Sequence, residues 1–468
     1  MSIESSEGKS FASRVQILIV GAGACVTIAG LAASERGAEV LILERDARPS
    51  GSTALSGGQI PAAGTRYQRA AGLMDDTPDF LYQDILNKAH GECNHEIARV
   101  MADESGRTVE WLIERHTIPL SPILDFQSPG HSRPHMHATP RRLGEELHSA
   151  LLAAVDREGV PIATSAQVTD LFADSEQRIH GVRVRRPDGS LEEIGCDALI
   201  LACNGYGGSR EMLQRYIPEA ADLFYEGHVG NQGDAVRWGE ALGASVRDMG
   251  SFQGHGAVAW PAAVHLSWPT VTEGGFHVNS SGRRFSNENS GYSEQALHVH
   301  RQPGKVAWAI WDQRGETIAY RQESHVKAVE SGCVKRCESV EAIAAVVGCE
   351  VSALVETFAE VAAFAAGTRS DPLGRDFTRK PMLSAPYYVC KIVGALTHTQ
   401  GGLEIDKEMR VLRSDGSAMP NLFAGGGAAR GLSGPADWGY MSGSGLLMAT
   451  STGRLAGEAA ATLVLRGR

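Results

Sequence analysis

Apolar positions near the N-terminus fall into runs of two different periods. Val15–Val20 (VQILIV) is a nearly unbroken apolar run ending at Gly21, the pattern of a strand buried on both faces. Thr27–Arg36 (TIAGLAASER) switches to helical spacing and stops at Gly37. Ala38–Leu43 (AEVLIL) is a second apolar run with Glu44 at its end. The order predicts a strand–helix–strand unit. Asp197–Gly208 (DALILACNGYGG) and Asn421–Gly427 (NLFAGGG) each predict a further strand running into glycines. Met441–Leu446 leads into a helix expected to reach Leu465. Val340–Ala366 predicts a helical region, and the polar stretch 368–381 (TRSDPLGRDFTRKP) a hinge-side loop. No internal repeat or low-complexity tract interrupts this order.

Composition narrows the function classes. There are 44 Lys and Arg against 55 Asp and Glu, a net charge of −11. An acidic chain is a poor match for nucleic acid, which needs clustered cations to neutralise phosphates. Glycine is in excess, 54 of 468 residues, as expected where backbone presses against a ligand in several places. The first residues, MSIESSEGKS, are polar and do not read as a secretion signal. No stretch of roughly 20 apolar residues predicts a membrane span. The eight scattered cysteines fit a cytoplasmic chain with reduced thiols. Cys333 and Cys337 are read as unpaired.

The glycines sit where a dinucleotide would need them. Gly21-Ala22-Gly23-Ala24 closes the first strand and opens the helix, so backbone N–H groups can meet a pyrophosphate at the helix N-terminus. Glu44 follows Gly23 by 21 residues, near the roughly 20 expected of a carboxylate that bonds a ribose 2′-hydroxyl. That favours an unphosphorylated ribose, hence FAD or NAD. The third glycine of the usual pattern is replaced by Val26. Gly51–Gly58 (GSTALSGG) then offers hydroxyls and bare backbone, which points to flavin.

Taken together, these pieces resemble the flavoproteins of the fumarate reductase and succinate dehydrogenase family over nearly the whole chain. The matching segments are GAGAC with Glu44, STALSGG, LILACNGYGGSREMLQRYIP, GNQGDAVRWGEALGA, GGFHVNSSGRRFSNE, THTQGGLEID, NLFAGGG and GSGLLMATSTGRLAG. The resemblance implies an α/β fold: a Rossmann-like FAD-binding domain with a mostly parallel sheet, at 1–250 and 391–468, interrupted by an α+β capping domain at 251–390. It implies FAD contacts at Gly21, Ala22, Gly23, Ala24, Glu44, Arg45, Ser52, Thr53, Ser56, Gly57 and Gly58. Further contacts are implied at Val168, Ala202, Asn204, Gly205, Asp234, Gly425, Gly426, Gly443, Ser444, Gly445 and Leu446. Succinate dehydrogenase links FAD covalently through a histidine; Gly51 stands at that position, so noncovalent FAD is expected.

The substrate residues depart from the dicarboxylate pattern. The arginine that delivers a proton in fumarate reductases falls on Tyr292, four residues after the glutamate of Arg284-Phe-Ser-Asn-Glu288. A substrate-binding arginine falls on or near Tyr440, and a histidine falls on Thr397, with His398 one place later. Two tyrosines in these positions resemble the 3-ketosteroid dehydrogenases. Carried over, Tyr292 is the base and Tyr440 polarises a carbonyl, helped by a backbone N–H in Gly443-Ser444-Gly445. The Tyr-x-x-Gly-Ser-Gly-Leu segment equally resembles tricarballylate dehydrogenase. The expected reaction is desaturation beside a carbonyl, with a small cyclic ketone as the first choice of substrate. A carboxylate oxidation and an ene-reduction are the alternatives, and a flavin sensor is the non-enzymatic one.

Four other side chains are expected at the substrate: Arg133 as an anion anchor, His135, His398 and Trp438, with Ser444 beside them. His131-Ser-Arg-Pro-His135-Met-His137 has chelating spacing, but no carboxylate or cysteine adjoins it in sequence, so no metal is expected. Arg283-Arg284 reads as a structural, ion-paired couple. No C-x-x-C-H haem motif is present, so an external electron acceptor is expected: oxygen, quinone or a redox protein. The oligomeric state stays open.

Overall fold

A computed structural model describes residues 2–466. They form two compact units. The first comprises the chain up to Ile217, Gly227–Phe252, and the chain from His398 on; the second comprises Pro218–Glu226 and Gln253–Thr397.

The first unit is built on a sheet of nine strands among the described residues. Ser13–Val20 lies at its centre, parallel to Val40–Leu43 on one side and to Leu191–Leu201 on the other. Ala418–Ala424 adds to Leu191–Leu201, again in parallel. An antiparallel run of Gln167–Ala173, Ile179–Arg185 and Leu191–Leu201 extends the sheet. Ile17, Leu18 and Ile19 are fully buried, which is why the sequence there shows no alternation. Each such side chain contributes about 1.5–3 kcal/mol on burial. The helix Ala24–Glu35 follows the central strand and packs on the C-terminal helix Ser444–Arg466. The fold class is the α/β, mostly parallel architecture expected from the sequence.

The second unit has a seven-stranded, largely antiparallel sheet around the long strand Tyr387–Thr399. Its core joins Phe276, Ile310 and Val389 to Ile343, Leu354 and Phe358 from the helices Val340–Val347 and Val351–Ala365. A buried ion network lies beside it. Glu288 accepts from Arg284 at 2.8 Å and from Arg375 at 3.0 Å, and Arg284 also reaches Asp371 at 3.0 Å. Arg375 donates further to the carbonyls of Val271 and Gly275.

That network corrects the expectation for 368–381. The segment is pinned inside the second unit by Asp371 and Arg375, whereas the chain passes between units after Ile217, Glu226, Phe252 and Thr397. Arg284 is ion-paired and buried, and Arg283 pairs at the surface with Glu356. All eight cysteines are free thiols. Among the described residues no helix is long and apolar enough to cross a membrane.

Candidate active site

The first strand ends at Gly21, whose φ is +113°. A Cβ there would lie 2.9 Å from the Ala202 carbonyl oxygen, so the turn accepts no side chain without moving backbone. The helix starts at Ala24 with Gly23 as an N-cap that offers no side-chain bond. Ala24 N–H is taken by Thr53 Oγ1 at 2.9 Å; the remaining first-turn N–H groups have the polarity an anion needs. This joins the first glycine turn to the Ser52–Leu55 segment. Within that segment Ser56 Oγ donates to Thr53 O and accepts from Gly58 N–H, and Gly57 lies between them.

The polar groups expected at the dinucleotide gather round the same turn. Asn204 holds a left-handed φ of +68°; its amide donates to Ser52 Oγ at 2.7 Å and its oxygen accepts from Gly205 N–H at 2.8 Å. Arg45 donates to Gly230 O and lies 4.0 Å from Asp234. Glu44 is buried and accepts from Asp46 N–H at 2.8 Å. Burial pushes its carboxyl up, opposed by that N–H. Gly425 and Gly426 adjoin Cys25, and Gly426 N–H donates to Thr452 Oγ1 at 2.9 Å. Leu446 is buried in the helix that Ser444 begins. Val168 is a core residue of the sheet, paired with Val184. His148 was not singled out from sequence; its Nε2 lies 2.8 Å from Ala22 O in the glycine turn.

These residues fit FAD on two observations. The turn is shaped for bare backbone at Gly21, and two buried oxygens of residues expected at the dinucleotide, Asp234 Oδ1 and Ser444 Oγ, have no partner among the described residues. Buried polar atoms are rarely left so. We expect Gly21→Ala to weaken FAD binding about 5- to 150-fold. Strain at a positive φ costs about 1–3 kcal/mol, and 1.4 kcal/mol is tenfold in affinity. Flavin absorbance of the purified variant, titrated with FAD, checks this.

A second cluster forms in the first unit where the C-terminal helix begins. Tyr440 is buried, and its ring meets the edge of His398 with centroids 5.7 Å apart at 86°. A Cβ added at Gly445 would lie 3.1 Å from His398 Nε2 and 4.0 Å from Tyr440 Oη. The Tyr440 hydroxyl, the His398 ring and the Gly445 backbone thus converge. Burial pushes His398 down to about 4, so its ring is neutral near pH 7. Gln400 Nε2 lies 2.8 Å from His398 Nδ1. The same Nδ1 lies 3.3 Å from Thr399 O, and Nε2 is the nitrogen facing Gly445. Trp438 stacks on His90, with centroids 4.4 Å apart.

Tyr292 belongs to the second unit. It is the first residue of the helix Tyr292–His300, after Gly291, which offers no side-chain cap. His255 stacks on its ring at 5.4 Å and Trp268 meets it edge-on at 5.9 Å. His255 in turn stacks on His265 at 4.0 Å, and His265 Nε2 lies 2.7 Å from Glu226 Oε1. Thr397 Oγ1 donates to the same oxygen at 2.7 Å. Burial opposes charge on His265, but Glu226 raises it. His255 is driven well down, first by burial and then by His265. In this array Glu226 favours charge on His265, His255 is held toward its neutral form, and the Tyr292 phenol stacks beyond it. Glu226, His255 and His265 escaped the sequence reading, because strand pairing between Phe224 and Ala395 brings Glu226 to Thr397.

The histidine-rich loop differs from expectation. His135 is fully buried, with Nδ1 at 3.0 Å from Asp76 and Nε2 at 3.1 Å from Asp84. The fold thus supplies the carboxylates that the neighbouring sequence lacks, and His135 sits in the interior instead of facing a ligand from an open loop. Burial opposes its charge, yet the two carboxylates raise it. Arg133 lies over the Phe80 ring and 3.4 Å from Asp75.

The family model described as FAD binding domain matches residues 16–444. The fumarate reductase of Schizosaccharomyces pombe is 27% identical over 483 residues, covering 98% of this chain and 91% of its own. The open conformation of a flavocytochrome c3 fumarate reductase superimposes with a TM-score of 0.81 at 25% identity, covering 97% of this chain and 79% of that one. The 3-ketosteroid-Δ4-(5α)-dehydrogenase of Rhodococcus jostii RHA1 reaches a TM-score of 0.78 at 22% identity, covering 98% and 99%, a likeness of fold alone.

Proposed function

The chain belongs to the FAD-binding family of fumarate reductase and succinate dehydrogenase flavoproteins and is an FAD-dependent oxidoreductase acting on CH–CH bonds, and from that premise we propose that it desaturates the bond next to a ketone carbonyl, on a small cyclic substrate. The observation that carries the reading is the convergence of Tyr440 Oη, His398 and the Gly445 backbone. A carbonyl oxygen held there receives the phenol O–H and a backbone N–H as the α-carbon loses its proton. Donors aimed at a developing enolate contribute roughly 2.7–4 kcal/mol each. By the resemblance to the 3-ketosteroid dehydrogenases, Tyr292 is the residue assigned as the base for such a proton. When bound, noncovalently since Gly51 offers no attachment, FAD supplies the acceptor for the hydride that leaves the adjacent carbon. The electrons then pass to an external acceptor: oxygen, a quinone or a redox protein.

Similarity to fumarate reductases favours a second reading, the same chemistry run toward saturation or on a carboxylate. Against it, Tyr292 and Tyr440 stand where that chemistry uses arginines. Arg133, the remaining anchor for an anion, is engaged by Asp75 and Phe80. Carboxylates desolvated without partners cost several kcal/mol. The test is anaerobic mixing of the purified yellow protein with cyclic ketones, succinate and tricarballylate. Bleaching of the flavin is expected with ketones. Bleaching by a carboxylate and by no ketone would overturn the ketone reading. A reduced flavin reoxidised by an enone but never reduced by the ketone would reverse the direction.

A further inference from the structure

We propose that Asp84, His131 and His135 form a binding site for a divalent first-row metal ion, with zinc the ion their ligand set suits. One ligand atom from each of the three lies within 4.8 Å of the others, and all three residues are buried. Asp84 comes from the helix Pro78–Lys88, and the histidines come from the loop before the strand Met136–Ala138.

His131 is set up to present a lone pair, and His135 presents one once its Nε2 proton leaves. His131 Nε2 lies 2.8 Å from Ser442 O. A carbonyl can only accept, so the proton is on Nε2 and the lone pair is on Nδ1. That Nδ1 is buried and has no partner among the described residues. His135 is oriented by Asp76 at Nδ1, the carboxylate–histidine–metal arrangement of ligating imidazoles. Its Nε2 faces Asp84 Oδ2 at 3.1 Å. That spacing is close to the edge of a tetrahedron with bonds of roughly 2.0–2.1 Å. Ser132 N–H and Oγ hold the same Asp84 oxygen at 2.7 and 3.0 Å.

The charges balance. Two carboxylates and two neutral imidazoles compensate a dication, whose entry displaces one proton from His135 Nε2 into solvent. Without the ion that proton must stay, and the orphan on His131 is unexplained. Nitrogen and oxygen ligands with no thiolate disfavour a soft ion such as Cu(I). Through Ser442 the site would tie the loop to the turn Gly443–Gly445 that opens the C-terminal helix.

The test uses the full chain with its flavin, stripped with a chelator and titrated with zinc against a competing zinc indicator. One equivalent per chain is expected. His131→Ala should abolish tight binding. Asp76→Asn, which leaves all three ligands in place, should weaken it about 10–100-fold. His95→Ala, at an exposed histidine, should change nothing. Bound flavin reports that each variant is folded. Wild-type protein that takes up no zinc overturns the site and identifies His135 as an imidazolium shared by two carboxylates. Zinc that binds with equal affinity in His131→Ala and Asp76→Asn overturns it too.

Discussion

Tyr292→Phe is expected to lower the rate of flavin reduction by substrate about 10²–10⁴-fold, the usual range for removing a positioned general base. Flavin binding should be unchanged, because the dinucleotide residues all belong to the other unit. A phenol in water titrates near ~10, and only the phenolate accepts a proton. The wild-type rate should therefore rise toward alkaline pH, and the residual rate of the variant should lose that dependence. Two features of the second unit assist the anion. Tyr292 is the first residue of its helix, where the end of the macrodipole favours negative charge by about 0.3–1 kcal/mol. His265, whose positive charge Glu226 favours, lies one ring beyond His255. Stopped-flow traces at several pH values decide the matter. An unaltered rate in the variant, with the pH dependence retained, would remove Tyr292 from the chemistry.

The sequence was most readable where one local period replaced another. Val15–Val20, the glycine turn and Glu44 announce a dinucleotide fold because buried parallel strands, turn glycines and an end-of-strand acid are all short-range signals. Tyr440, His398 and Gly445 were also foreseeable, since the family frame carries positions along the chain. The second unit was not readable in that way. Glu226 meets His265 across 39 positions, and Thr397 across 171. The same holds in the first unit, where Asp84 reaches His135 across 51. No spacing in the sequence encodes such pairs; strand register and helix packing create them. The segment 368–381 misled for the opposite reason. Its Pro, Gly and charges read as a hinge-side loop, yet two of those charges, Asp371 and Arg375, are interior partners of Arg284 and Glu288 within the second unit.

Glu288→Gln is expected to destabilise the protein by about 3–5 kcal/mol, the cost of breaking a buried ion pair from one side. Glu288 is fully buried, and the two arginine side chains it pairs with are 6% and 3% exposed. Without its charge, Arg375 keeps only the Val271 and Gly275 carbonyls as close acceptors, and Arg284 keeps Asp371. Arg283→Ala is the contrast. Its pair with Glu356 is open to solvent, where such pairs contribute about 0–1 kcal/mol. The pH dependence follows from the same carboxylate. Burial alone would raise Glu288, but Arg375 and Arg284 hold it down at about 2, below its ordinary 4.5. A depressed carboxylate contributes its full stabilisation above the unfolded value and loses it as pH falls through the folded one. Wild-type stability should therefore drop between about pH 4.5 and pH 2 by more than that of Glu288→Gln. Denaturant midpoints of both proteins across that range provide the measurement, and parallel acid profiles would show that the network does not hold the second unit together.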